Sequence, residues 1–142
     1  MLYEDDVVRA VAAYLREHGY AIRQALAATE RGVDIVAVKT TEPAFELHVE
    51  AKGAGSSRSG SARFGFEFNS GQVFDHVAKA VLKALQAAAF GATDRRGAIA
   101  LPANRLHEYH VKPVAAALRS AGIAIFWVAE DGGVTLDAPW EL

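Results

Sequence analysis

The stretch VDIVAVK, residues 33–39, constrains the fold more than any other part of the chain. It is apolar and rich in β-branched residues on both faces, which is typical of a strand in the middle of a sheet. After a short turn with Pro43, residues 45–52 (FELHVEAK) alternate between the two faces of a second strand. One face is apolar (Leu47, Val49, Ala51) and the other is polar (Glu46, His48, Glu50, Lys52). The sequence therefore predicts two neighbouring strands, the second with a polar front.

The remaining patterns predict an alternation of helices and strands around this pair. The predicted helices cover 4–18, Ser70 to about Phe90 with Ser70 as the N-cap, and 104–121, which Pro113 divides into two pieces. The other predicted strands cover 20–28, 97–102, 123–128 and 134–136. The order α-β-β-β-α-β-α-β-β predicts an α/β sandwich, in which a mixed central sheet is flanked by helices.

Composition limits the classes of protein that the chain can belong to. Its 142 residues predict a single domain, 1–142. No apolar run approaches the roughly 18 residues that span a bilayer, and the acidic start is unlike a signal peptide, so we expect a cytoplasmic protein with no membrane contact. The absence of cysteine excludes disulfides and thiolate chemistry. The formal net charge of −2 provides no general attraction to nucleic acid, so a nucleic-acid enzyme needs a local basic groove.

Asp34, Glu50 and Lys52 form the constellation with the clearest chemistry. Adjacent antiparallel strands place opposite side chains about 5 Å apart, close enough for the two carboxylates to repel unless a cation lies between them. Mg²⁺ prefers such oxygen ligands, and Lys52 beside it could orient a water or offset phosphate charge. An acid-x-Lys triplet occurs by chance roughly 0.6 times in such a chain, so the triplet alone indicates little. Its position is more informative, because it ends a predicted strand and the preceding strand contains an isolated acid. This arrangement predicts metal-assisted phosphodiester hydrolysis.

Glu4 falls within the apolar stripe of the first predicted helix, among Val7, Val8, Val11 and Leu15. Two interpretations are open. The residue is either a first-turn acid that complements the helix dipole or a carboxylate that points towards the metal site.

The helix that begins near Ser70 has two distinct sides. Its apolar side is predicted to contain Val73, Val77, Val81 and Leu85, and a polar side contains Gln72, His76, Lys79 and Lys83. Gln72 and His76 lie at the helix start, where anions are favoured, so a role in positioning phosphate or water competes with simple solvation. For the two lysines we expect exposure to solvent or a weak attraction to the nucleic-acid backbone.

The Gly/Ser-rich loop at 53–68 offers two further candidate features. Arg58 and Arg63 make it locally basic and able to contact a sugar-phosphate backbone, unless they are incidental surface arginines. The alternating Phe64, Phe66 and Phe68 predict either packing on the core, which we favour, or a stacking surface for bases. Elsewhere, His107, Glu108 and His110 lack the spacing of a HExxH zinc site and are interpreted as polar surface or core residues. Residues 94–96 are interpreted as a loop.

Taken together, these motifs resemble the PD-(D/E)xK nuclease superfamily, in particular Mrr-like restriction endonucleases and archaeal-type Holliday junction resolvases. The resemblance rests on Glu4 in the first helix, GVDIVA (32–37) and VEAK (49–52) on successive strands, and Gln72 at the start of a helix. It spans roughly residues 4–90. Val33 replaces the proline of the motif's name.

The resemblance implies a restriction endonuclease-like three-layer sandwich and a hydrolase that cuts nucleic acid, most simply a DNA endonuclease. It implies Asp34 and Glu50 as ligands of Mg²⁺, which Mn²⁺ could replace, and Lys52 as the catalytic lysine. Glu4 would be an accessory acid and Gln72 a helper near the scissile phosphate. The weak overall charge suggests a homodimer or a protein partner that supplies DNA affinity.

Two alternatives remain open at this stage. The chain could be a catalytically silent nuclease-fold module that binds nucleic acid or a protein. It could also be a structural α/β domain in which the three residues form a solvated ion cluster that contributes little stability.

Overall fold

Six strands form one sheet in the computed structural model, which describes residues 1–27, 29–56, 60, 62, 64–90 (for Phe90 the backbone only) and 94–142. The strands are β1 (Ala21–Ala25), β2 (Ile35–Lys39), β3 (Phe45–Ala51), β4 (Arg95–Pro102), β5 (Ala124–Val128) and β6 (Val134–Asp137). The helices are α1 (Glu4–Glu17), α2 (Ser70–Phe90), α3 (Arg105–Val111) and α4 (Ala115–Ser120), with a 3₁₀ turn at Lys112–Val114 between the last two.

The strands lie side by side in the order in which they occur in the sequence. β1, β2 and β3 are antiparallel neighbours, whereas β3, β4 and β5 run parallel and β6 returns antiparallel to β5. Parallel neighbours need a crossover connection, which α2 supplies between β3 and β4 and the α3–α4 pair between β4 and β5. The predicted element order and the mixed sheet are therefore confirmed. Within the described ranges, no helix is both long and apolar enough to cross a bilayer.

Two hydrophobic cores, one on each face of the sheet, make the fold a three-layer sandwich. One core joins α1 to the sheet (Val7, Val11, Leu15, Leu47, Val49, Phe126). The other joins α2, α3 and α4 to the opposite face (Val73, Val77, Ala84, Ile99, Val111, Leu118). The polar front of β3 faces the layer that contains α2, because its apolar residues Leu47, Val49 and Ala51 are used in the α1 core. This is the alternation that the sequence predicts, and it places charged groups between the sheet and α2.

The structure corrects several predicted strand limits. β1 is shorter than the predicted 20–28, and β2 begins at Ile35, so that Asp34 lies in the bend just before the strand. β4 begins at Arg95 rather than at 97, and the interpretation of 94–96 as a loop is wrong for its last two residues. The reason is that Glu46 of β3 pairs with Arg95 in the parallel ladder and donates its backbone N–H to the carbonyl of Asp94.

The apolar face of α2 also differs from its prediction. The buried row is Val73, Val77, Ala80 and Ala84, whereas Leu85 is 37% exposed. An α-helix turns 100° per residue, so a strict four-residue spacing drifts around the axis and carries Leu85 about 120° from Val73. The row that alternates four- and three-residue steps follows the sheet instead, and two of its four residues are small alanines.

At Gly97 on β4 the backbone of α2 lies close to the sheet. A Cβ built there would overlap the backbone carbonyl oxygen of Ala84, with the Ile123 side chain at 3.2 Å. Glycine is required here for the close approach of two backbones, since no positive φ is involved. Lys83 directly precedes Ala84 on α2, so it lies beside this contact.

Substitution Gly97→Ala is expected to lower the free energy of unfolding by about 1–3 kcal/mol, because the extra methyl forces α2 away from the sheet. Gly71→Ala is the control, since the first turn of α2 leaves room for a methyl, and it should change stability by less than about 1 kcal/mol. Urea denaturation of the two variants and the parent protein measures both values. Equal stability of all three would contradict the close packing.

Candidate active site

Asp34 and Glu50 face each other where β2 begins and β3 ends. Ile35 pairs with Val49 in the antiparallel ladder, and the next opposed pair in that register is Asp34 and Glu50. The Oδ2 atom of Asp34 accepts a hydrogen bond of 2.7 Å from the backbone N–H of Ala51, which ties the bend to the end of β3. Both residues are buried: Asp34 is 7% exposed and Glu50 is 5% exposed. The cross-strand meeting that the sequence predicts is therefore present.

The Glu50 carboxylate lies between two ammonium groups. Its Oε1 atom accepts a hydrogen bond of 2.9 Å from Nζ of Lys83 and lies 3.7 Å from Nζ of Lys52. Lys52 follows the last residue of β3, and its backbone N–H donates to the carbonyl of Ala100 on β4, so the sheet geometry continues through it. The hydrogen bond to Glu50 raises the pKa of Lys83, which is therefore held in the charged form.

Glu4, the first residue of α1, reaches the same group of charges from the other layer. Its Oε2 atom is 4.0 Å from Nζ of Lys52, so the lysine is shared between Glu4 and Glu50. Gly53 makes this approach possible, because a Cβ there would overlap the backbone nitrogen of Glu4. Of the two interpretations left open for Glu4, the inward orientation is the one that the structure has.

Burial raises the pKa values of two of these carboxyl groups. The pKa of Glu4 rises to about 7, mainly because of desolvation; Lys52 opposes the rise, and Asp34 and Glu50 add to it. Desolvation likewise raises the pKa of Asp34 to about 6, against the hydrogen bond from Ala51, and the charge of Glu50 raises it further. The site thus holds more negative charge than its surroundings can stabilise, which favours the binding of either protons or cations.

The donor set suits one kind of metal ion better than others. The described part of the chain contains no group of three or more His, Asp or Glu residues arranged to hold a metal, which is what a structural zinc site needs. Asp34 and Glu50 supply two hard carboxylates from adjacent strands. Mg²⁺ is usually bound by one or two carboxylates together with water and phosphate oxygens, so these residues fit Mg²⁺.

Lys83 makes a contact that its sequence pattern does not predict. Its side chain is 55% exposed, as the pattern predicts, but its ammonium group reaches the buried carboxylate of Glu50. Together they line a cleft of about 440 Å³ between α2 and the sheet, which His48, Gly32 and Arg95 also border. The available signal was that Lys83 shares a helix face with Gln72 and His76.

Gln72 has a structural partner at the start of α2. Its Oε1 atom accepts from the backbone N–H of Asn69, and its own N–H donates to Oδ1 of Asn69, which forms a reciprocal capping box. Asn69 rather than Ser70 is therefore the N-cap, and that part of the prediction is wrong. No contact joins Gln72 to the carboxylates in the described part of the chain, and its role near a phosphate stays a prediction.

His76 lies one turn further along α2, and the charge of Lys52 reaches it. Its ring packs edge-to-face on Phe68 with centroids 4.4 Å apart, and its Nδ1 atom is buried without a hydrogen-bond partner among the described residues. Desolvation, and then the charges of Lys52 and Lys79, lower its pKa, which favours the neutral ring. Its predicted contact with nucleic acid remains untested.

The loop candidates have mixed outcomes. Arg58 and Arg63 lie outside the described residues, and their predicted contact with nucleic acid remains a prediction. Phe68 packs against the core beside α2, as we favoured for this group, whereas Phe64 and Phe66 are 51% and 63% exposed. Packing therefore accounts for one phenylalanine of the three.

The histidines of α3 have separate surroundings. His107 is fully buried, and its Nδ1 atom lies 2.8 Å from Oδ1 of Asn104; burial lowers its pKa to about 4. His110 lies 2.9 Å from the hydroxyl of Ser70 through its Nε2 atom, and Glu108 is exposed. Their interpretation as polar core and surface residues agrees with this arrangement.

Comparison with solved structures supports the fold. The chain resembles the crystal structure of an XisH family protein from Nostoc punctiforme, with a TM-score of 0.55 and 15% sequence identity over 94% of this chain and 98% of that one. At this identity the likeness concerns the fold alone. A scan against protein-family models gives no match, and neither does a search of curated protein sequences.

Raising the pH from about 4 to about 7 is expected to destabilise the metal-free protein. Glu4 and Asp34 have folded pKa values of about 7 and about 6, above their ordinary values of 4.5 and 3.8. Protonation of these two groups stabilises the folded state. This stabilisation is fully present below the ordinary pKa values and is lost as the pH rises through the folded pKa values. Each shift corresponds to at most roughly 3 kcal/mol.

Urea denaturation at a series of pH values measures this effect. Glu4→Gln, which imitates the protonated acid, should make the decline shallower. Glu17→Gln, an exposed position on the same helix, should leave the decline unchanged. An identical pH dependence in the parent protein and Glu4→Gln would show that Glu4 keeps an ordinary pKa.

Proposed function

We propose that this protein is a Mg²⁺-dependent nuclease that hydrolyses phosphodiester bonds, with DNA as the substrate and endonucleolytic cleavage as the reaction. The observation that supports this most is the pairing of two buried carboxylates, Asp34 and Glu50, with the Lys52 ammonium group 3.7 Å from one of them. Burying a carboxylate costs free energy unless a cation lies beside it. One divalent ion bound between Asp34 and Glu50 would compensate both carboxylates. The fold likeness to an XisH family protein agrees with such a site but does not assign it.

Each group has a role that its surroundings allow. Asp34, oriented by the N–H of Ala51, and Glu50 would hold the ion. When bound, Mg²⁺ would polarise a phosphoryl oxygen and make a nearby water more acidic. Lys52 would orient that water or offset charge that develops on the phosphate. Glu4, with a pKa of about 7, can hold or release a proton near neutral pH beside the Lys52 ammonium group.

The cleft beside Glu50 offers room for a phosphodiester. It measures about 440 Å³, and Lys83 and Arg95 give it a basic border. Arg95 also lies 3.8 Å from Glu46, which partly offsets its charge. The basic character is thus local and modest, so firm DNA binding by one chain would need a second copy or a partner, as the net charge of −2 also suggests.

Separate substitutions Asp34→Asn, Glu50→Gln and Lys52→Met are each expected to reduce Mg²⁺-dependent cleavage at least about 100-fold, since each removes a charge that acts on the reacting phosphate. Cleavage of supercoiled, linear duplex, single-stranded and branched DNA and of RNA, with Mg²⁺, Mn²⁺ or EDTA, measures the effect. Glu17→Gln, far along α1 and exposed, is the control that should retain activity. If the Asp34→Asn variant cleaves as fast as the parent protein, the cleavage does not depend on this site. That result would contradict the proposal.

One observation favours a second candidate, a catalytically silent nuclease-fold module that binds nucleic acid or a protein. Glu50 already has two ammonium groups beside it, so the charges of the site are partly satisfied without a metal. Calorimetric titration with Mn²⁺ separates the two functions. Binding that Glu50→Gln abolishes supports the nuclease, and no binding supports the silent module.

A further inference from the structure

Lys83 has a position that a solvated surface lysine does not need. Its Nζ atom is 2.9 Å from Oε1 of Glu50, although the lysine side chain is 55% exposed and that of Glu50 only 6%. The ammonium group therefore enters the cleft to reach a buried acid. Because the lysine stem is flexible and exposed, the ammonium group can move away from that acid once another cation takes its place.

The two lysines beside Glu50 are not equivalent. Lys52 is 17% exposed and lies between Glu4 and Glu50, so its charge is shared by two acids on a rigid strand end. Lys83 has Glu50 as its ion-pair partner and belongs to α2, the opposite wall of the cleft. Of the two, Lys83 is the one whose charge can move without disturbing the sheet.

A divalent ion at Glu50 would lie within a few ångströms of the Lys83 ammonium group. Like charges at such separations repel by an amount that depends strongly on solvent exposure. The Oε1 atom of Glu50 cannot interact at full strength with both the ammonium group and the metal ion. Metal binding and the Lys83–Glu50 hydrogen bond are consequently opposed to each other.

We propose that Lys83 is an internal counter-cation that competes with the divalent ion for Glu50 and moves to the phosphodiester when substrate enters the cleft. This inference rests on the metal site proposed above. In the metal-free site the Lys83 ammonium group already compensates Glu50, so the ion binds weakly alone. An anionic phosphate that takes the ammonium group from Glu50 strengthens metal binding, and by reciprocity the metal strengthens phosphate binding.

Calorimetric titration with Mn²⁺ tests the competition without relying on activity. Lys83→Gln is expected to bind Mn²⁺ about threefold to tenfold more tightly than the parent protein, since an ion pair whose lysine is 55% exposed is modest in strength. Lys79→Gln, one turn earlier on α2 and exposed, removes the same charge from the helix and should change the dissociation constant less than twofold. The melting temperature of metal-free Lys83→Gln should fall, because Glu50 loses a partner.

The same titration is then repeated with a single-stranded phosphorothioate oligonucleotide, whose linkages resist hydrolysis. The oligonucleotide should tighten Mn²⁺ binding in the parent protein and do so less in Lys83→Gln. Equal or weaker Mn²⁺ binding by Lys83→Gln overturns the competition. If the oligonucleotide does not tighten Mn²⁺ binding, or tightens it equally in the two proteins, the proposed movement of the Lys83 ammonium group to the phosphate is wrong.

The outcomes also separate this inference from the proposed function. If Mn²⁺ binds in a Glu50-dependent way but Lys83→Gln leaves the affinity unchanged, the metal site stands and the role of Lys83 is wrong. If neither protein binds Mn²⁺, both proposals fail together.

Discussion

The cross-strand meeting of Asp34 and Glu50 is the constraint on which the rest of the site depends. The antiparallel ladder between β2 and β3 sets them opposite each other, and the N–H of Ala51 anchors the Asp34 carboxylate. Two acids buried side by side are unfavourable in water-poor surroundings, because each loses hydration and repels the other. The fold keeps them together only because cations and hydrogen-bond donors surround them.

Two elements supply the compensating cations: the end of β3 brings Lys52 and α2 brings Lys83. The start of α1 adds a third acid, Glu4, whose nearest cation is Lys52. Glycines allow the two helices to come close, since Gly53 admits the backbone of α1 and Gly97 admits that of α2. Buried charge concentrated in this way, beside two largely apolar cores, is more common at functional sites than at sites that only stabilise a fold.

Much of this arrangement follows from local sequence pattern. The β-branched VDIVAVK and the alternating FELHVEAK define two neighbouring strands, and their short connection makes them antiparallel, which is sufficient to predict that Asp34, Glu50 and Lys52 converge. The element order and the mixed sheet follow from the same periodicities. The register between β2 and β3 is predictable because a one-residue slip would turn every apolar side chain of β3 away from its core.

What sequence could not supply was the distance between layers. Helical periodicity places Lys83 on a polar face but does not say how close α2 lies to the sheet, and at Gly97 the two backbones are too close to admit a Cβ. Leu85 was assigned to the wrong face because a four-residue spacing drifts around the helix. The capping role of Gln72 was available in the Asn69-x-x-Gln spacing, which is a known start signal for helices.

A crystal structure of the protein grown with Mn²⁺ would test the central claim most directly. The account predicts an anomalous scattering peak in contact with both the Asp34 and Glu50 carboxylates, with the Lys83 ammonium group no longer hydrogen-bonded to Glu50. A structure at saturating Mn²⁺ with no peak between these acids, and with Lys83 still bound to Glu50, would contradict it.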